Sequence, residues 1–414
     1  MMALCLTLLG AVAPLQARVL TVAPGSTLPT LGRALAFAVD GDTIRIRPGT
    51  YAEPTLTVAR RVVILGEGWP TLDAGGDHEM LRVTADGVTI RGLVIRNVGG
   101  SSAEDRAAIR LVETHGCLIE DNTLLDDAFG IYLQKVTGCT IRGNRIRGSG
   151  LRESQRGNAI HSWSSSGLVV EDNILQGHRD GIYFEFTTDA HVRRNTSSHN
   201  LRYGLHFMFS HGCEYEGNSF LDNRSGVAVM YSHDVIIRAN HFERSQGSSA
   251  YGLLLKDISD SRVERNQFVE NSAGLYAEGT TRVEIRGNAF LRNGWGVQVM
   301  ANAQDTRFLD NRFEGNSFDV STNGASAASI FLGNSWDRYT GYDLDRDGYG
   351  DIPFAPVRLF ALVVQQNEPA LILLRSFFVS LLDAAERVAP VLTPATMVDR
   401  RPRMSWAVPA TAGR

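Results

Sequence analysis

The sequence predicts an all-β fold, a right-handed parallel β-helix of three sheets with coils of about 22 residues. Three observations predict it. Asparagine recurs at Asn97, Asn122, Asn144, Asn173, Asn195, Asn218, Asn240, Asn266, Asn288, Asn311 and Asn334, in steps of 22 to 29 residues. A small residue runs in phase. Ala108, Gly130, Ala159, Gly181, Gly204, Gly226, Gly252 and Gly274 each precede an asparagine by 14 places, and Gly296 precedes Asn311 by 15. One half of each repeat is therefore nearly constant in length and insertions fall in the other, as in a stack of equivalent coils. Third, residues one and three places after the small residue are apolar, as in Ile131/Leu133, Leu205/Phe207 and Val227/Val229. Those two and four places after it are mixed, and such alternation marks a strand with one buried face.

Two more inward sets complete the coil. Cys117/Ile119, Cys139/Ile141 and Val235/Ile237 form one, and Phe220, Phe242, Phe268, Phe290, Phe313 and Trp336, each two places after an asparagine, form the other. With coils about 4.8 Å apart, ten asparagine steps give a rod of roughly 48 Å. A lone buried amide is costly, whereas stacked amides donate to one neighbour and accept from the other. The asparagines are therefore read as structure. Cys117 and Cys139 share one inward column and read as small buried hydrophobes.

In chain order, residues 1–17 read as a secretory signal with cleavage after Ala17. Residues 18–80 read as an N-terminal cap with a short helix over the first coils, and 81–336 as the repeat array. Residues 337–360 hold an Asp-rich loop and connector, 361–398 a helical docking segment and 399–414 a flexible basic tail. The apolar stretch of the helical segment carries Arg375, Asp383 and Glu386, which argues against a bilayer span. The net charge of −4 argues against nucleic-acid binding, which needs a basic face.

The outward positions of the first strand carry the candidate chemistry. His161, His206, Met208 and Met230 stand there, and the phrases Met208-Phe-Ser-His211 and Met230-Tyr-Ser-His233 repeat one coil apart. Thioether and imidazole together suit Cu(I), a soft ion. The same long side chains also suit packing against a partner or a loop. Glu185 and Glu278 on this face are four coils apart, roughly 19 Å, too far for either glycosidase geometry. A carbohydrate-binding or carbohydrate-acting β-helix is the alternative class.

The sharpest short motif is Asp343-x-Asp345-x-Asp347-Gly-x-Gly-Asp351. It has the front half of an EF-hand-like loop, with the Tyr349 carbonyl at the seventh position. Position 12 is Phe354, so the closing bidentate ligand is missing. The motif reads as a structural Ca2+ loop of modest affinity, with an acidic solvated turn as the alternative.

The repeats, the ending GNSWDRYTGYDLDRDGYGDIPF and above all QNEPALILLRSFFVSLLDAAERVAPVLTP resemble the NosD family. That resemblance implies an exported, non-enzymatic periplasmic protein that serves copper-site assembly of nitrous oxide reductase. It implies partners: an ABC-type ATPase and its permease, a copper-chaperone lipoprotein and the reductase. The helical segment from Pro369 to Pro394 would dock onto the permease and hold the protein at the membrane.

Overall fold

The computed structural model describes residues 17–101, 103–148, 156–324, 328–373, 376–388 and 397–404. Nearly all of the expected signal segment lies outside them, as do residues 389–396 and the tail beyond 404. The chain is a parallel β-helix. Among the described residues its first sheet has 14 strands, from Val19–Val22 to Ala328–Leu332. The second has 12, from Leu56–Val58 to Phe318–Ser321, and the third 13, from Thr50–Ala52 to Ser335–Trp336. Residues 18–80 contribute strands to all three sheets, so the rod begins at its first strand. Helix α1 (Leu31–Phe37) buries Leu31 and Ala34. The Glu53 carboxylate accepts from the amides of Leu31 and Gly32, both at 2.7 Å, where the helix end favours negative charge.

The inward columns form one continuous core. Phe242, Phe268, Phe290 and Phe313 stack at 4.7 to 4.9 Å, with Trp336 closing the column at 4.3 Å. Cys117, Cys139 and Cys213 are buried free thiols. The asparagine ladder runs from Asn122 to Asn334, each Nδ2 donating to the next Oδ1 at 2.9 to 3.1 Å. Asn97 is not part of it. The register aligns Val94 with Thr123, which puts Leu93 opposite Asn122, and the Asn97 amide turns to Asp73 at 2.9 Å. A second ladder lies five places further along the coil, through Asn200/Asn223 and Asn271/Asn293/Asn316. Sequence periodicity did not separate it from ordinary loop asparagines. Buried His178 holds the place before Asn200 and donates its amide to it at 3.0 Å.

The expected flexible tail at 399–414 is corrected for its first residues. Asp399 pairs between Phe331 and Phe354, and Arg403 between Ser335 and Tyr349. The end of the rod leaves carbonyls and amides unpaired, and this segment satisfies them. Helices α2 (Leu359–Gln366) and α3 (Phe377–Val388) are joined by a short 3-10 turn. Phe360, Ala361, Val364 and Val379 pack with Phe318 on the last strand of the second sheet. No helix among the described residues is long and apolar enough to cross a membrane.

Candidate metal-binding face

The outer face of the second sheet is ordered by strand register. Because Leu205 and Phe207 point inward, His206 and Met208 point outward, and the same alternation holds in each coil. One outward column reads Tyr132, His161, Tyr183, His206 and Ala228. Beside it runs Gln134, Trp163, Glu185, Met208, Met230, Lys256 and Glu278. Met208 and Met230 are thus direct register neighbours.

The first column is a run of rings. Tyr132 stacks on His161 at 4.3 Å, His161 lies 5.0 Å from Tyr183, and His206 meets the edge of Tyr183 at 5.1 Å. Tyr183 also donates its hydroxyl to the Met208 sulfur at 3.6 Å. It therefore touches both His206 and Met208. Burial pushes the Tyr183 phenol up to about 12, so it stays protonated and able to donate.

Hydrogen bonding divides the four histidines singled out from the sequence. Asn158 donates its amide to His161 Nδ1 at 3.0 Å, leaving that ring no free lone pair. Burial, with Arg179 and Arg110 nearby, lowers its pKa to about 3. His211 Nδ1 likewise accepts the His233 amide at 3.3 Å, and the two rings stack at 3.9 Å. Burial, and then the neighbouring His233 imidazole, lower the His211 pKa. His233 is different. Its Nδ1 lies 2.7 Å from the Asp234 carboxylate, which leaves Nε2 with its lone pair. His206 is different again, since both ring nitrogens are buried without a hydrogen-bond partner among the described residues. The Asp180 Oδ2 atom, without a hydrogen-bond partner among the described residues, lies 3.9 Å from His206 Nδ1 and 3.9 Å from Arg179 Nε.

The six candidates therefore fall into three places. His206, Met208 and Met230 share one patch with Tyr183, His211 and His233 sit at the corner beyond it, and His161 lies two coils below His206 under aromatic cover. Asp180, a corner carboxylate immediately before the small-residue marker Gly181, completes this group, and its place beside His206 is what the sequence did not show.

The Asp-rich loop places Asp343, Asp345 and Asp347 with carboxylate oxygens all within 4.8 Å of one another. Asp351 is not among them, and its carboxylate accepts the Leu344 amide at 2.8 Å. Arg401 reaches in from the returning C-terminal segment, 2.5 Å from Asp347, and holds its carboxyl below the usual range.

Fold and face together define a β-solenoid that presents its donors along an open sheet, one coil after another. The chain belongs to the NosD family. The model described as "Periplasmic copper-binding protein (NosD)" matches residues 76–153 and 148–344. A Pseudomonas aeruginosa protein named "Probable ABC transporter binding protein NosD" is 29% identical, covering 90% of this chain and 92% of the relative. One of the same name from Stutzerimonas stutzeri is 26% identical, covering 89% and 88%. Among solved structures, the A-module of the Azotobacter vinelandii mannuronan C-5 epimerase AlgE6 aligns with a TM-score of 0.62 at 16% identity. It covers 73% of this chain and 92% of that module, and the likeness is one of fold.

Proposed function

We propose that the protein binds Cu(I) in the periplasm and serves copper-site assembly of nitrous oxide reductase. Copper is its cargo, held at Met208 and Met230 with His206 as the imidazole donor. The observation that carries this reading is the in-register methionine pair beside a buried imidazole with both nitrogens unpaired. An unpaired buried polar group costs about 1–3 kcal/mol, and a bound cation would relieve it. Thioether and neutral imidazole favour Cu(I) over harder ions. Asp180 beside the ring would offset the positive charge, and Tyr183 would orient the Met208 sulfur.

The cargo comes from a copper-chaperone lipoprotein and moves on with an ABC-type ATPase and permease. The names of the relatives support the transporter association. The helical segment supports a dock, because Ile372, Phe377 and Leu381 are 89%, 83% and 55% exposed. The converging Asp343, Asp345 and Asp347 support a structural Ca2+ that would fasten the connector. The deciding experiment is chelator competition with the Met208→Ala/Met230→Ala variant. Loss of Cu(I) with unchanged circular dichroism is expected, and wild-type Cu(I) affinity in that variant rejects the site.

A further inference from the structure

A second site lies further along the same sheet face. Tyr251, Ala273, Trp295 and Phe318 stand in register on four successive coils. Ala273 places a methyl group between two large rings, so a slot opens between Tyr251 and Trp295. The Tyr251 and Trp295 backbones stand two coil spacings apart, roughly 10 Å, and the Tyr251 ring leans on Tyr276 at 4.9 Å. Trp295 stacks on Phe318 at 4.2 Å on its far side, which leaves its other face toward the slot. The neighbouring column supplies Tyr276, Gln298 and Ser321. The coil insertion around Gly247 makes one wall, pinned by its amide to the Ser272 hydroxyl at 3.0 Å, and Val364 of α2 makes the other. The half-open cleft has a volume of about 500 Å3.

We propose that this cleft binds a neutral oligosaccharide. None of its lining residues among the described ones is charged, whereas the cleft at the other end of the face is lined by residues such as Glu79, Arg82, Glu104 and Arg110. Part of its polar lining is unspent, although the Ser272 hydroxyl holds Gly247 and the Tyr276 hydroxyl reaches Glu278 at 3.4 Å. Ser321 Oγ is buried without a partner, and no hydrogen bond among the described residues engages the Gln298 amide or the Trp295 indole N–H. Sugars match this combination, laying C–H faces on aromatic rings and offering hydroxyls to neutral donors and acceptors. A peptide matches it less well. The floor is the face of a sheet, so no strand edge is free to pair with a main chain. The slot lies beyond the methionine pair, and its occupation is independent of copper.

The test is calorimetric titration of the full chain with maltotetraose, cellotetraose and chitotetraose, with tetragalacturonate as the charged control. Saturable binding of at least one neutral tetrasaccharide is expected, at least tenfold tighter than the charged one. Trp295→Ala should weaken it at least tenfold and Gln298→Ala about fivefold, whereas Met208→Ala/Met230→Ala should leave it unchanged. Gln298→Ala keeps the test valid should Trp295→Ala disturb the stack on Phe318. No binding of any neutral tetrasaccharide, equal affinity for tetragalacturonate, or binding that Gln298→Ala leaves intact overturns the proposal.

Discussion

The Asp399 carboxylate closes the asparagine ladder at Asn334. Oδ2 accepts from the Asn334 amide nitrogen at 2.9 Å and from its Nδ2 at 3.0 Å, and also from the Trp336 indole at 3.2 Å. Oδ1 takes the Gly333 amide at 3.2 Å. The carboxylate stands where the next coil's asparagine would be. Asp399→Ala strands these donors, at a cost of at least about 3 kcal/mol, since each buried orphan costs about 1–3. Hydrogen exchange over the last coil should accelerate selectively, and Asp399→Asn, which keeps an acceptor, should retain most of the protection. Unchanged exchange in Asp399→Ala would mean that the tail does not cap the rod.

Copper binding should follow lone-pair availability rather than residue type. His206→Ala is expected to lower Cu(I) affinity at least tenfold, and His161→Ala to leave it within about twofold, because the His161 lone pair is already taken. Chelator competition at pH 7 separates the two. Equal losses would show that the Asn158 contact gives way to metal.

Acid should destabilise the rod through its buried imidazoles. The folded pKa values of His161 and His178 are lowered to about 3 and about 4, in each case chiefly by burial. Below pH 6.5 the unfolded chain binds protons that the folded chain refuses. Each histidine then removes about 1.4 kcal/mol of stability per pH unit down to its folded pKa, and none above 6.5. Asp319, raised to about 6 by burial, opposes this between its ordinary value and 6. The comparison that isolates the histidines is wild type against His161→Gln/His178→Asn. Between pH 7 and pH 5, urea unfolding should show the variant losing about 4 kcal/mol less stability.

A Ca2+ ion held by Asp343, Asp345 and Asp347 would compete with Arg401 for Asp347. Losing the Arg401 ion pair frees the Asp347 carboxylate for the cation, so Arg401→Ala should raise Ca2+ affinity about threefold to fivefold. Asp345→Asn should abolish the binding heat in a calcium titration. Heat that persists in Asp345→Asn would place any Ca2+ elsewhere.

Docking onto the permease through the exposed apolar face of the helical segment predicts a membrane association that depends on that face. Phe377→Asp with Leu381→Asp is expected to reduce co-sedimentation with permease-containing vesicles more than tenfold. Retention at the wild-type level would exclude this segment as the dock.

The repeat was legible because the physics is local and repeated. An inward Ile or Phe at a fixed distance from a small residue reports which way a strand faces, and the copy in the next coil confirms it. The same regularity misplaced Asn97, since a 25-residue step still looks like a coil. Only the register of Val94 with Thr123 shows that the ladder starts at Asn122. The methionine pair was legible for the same reason, as equal positions in successive coils must be neighbours.

By itself the sequence determined the coil, its inward and outward faces and the neighbourhood of His206, Met208 and Met230, because each follows from spacing along one chain. Tertiary structure alone decided which imidazoles keep a lone pair, since that depends on partners such as Asn158 and the His233 amide arriving from elsewhere in the fold. It alone decided that Asp399 returns across 65 residues of chain to meet Asn334. No periodicity encodes that contact. The rod ends in unpaired hydrogen-bonding groups that some other segment has to satisfy, and only the folded chain brings that segment there.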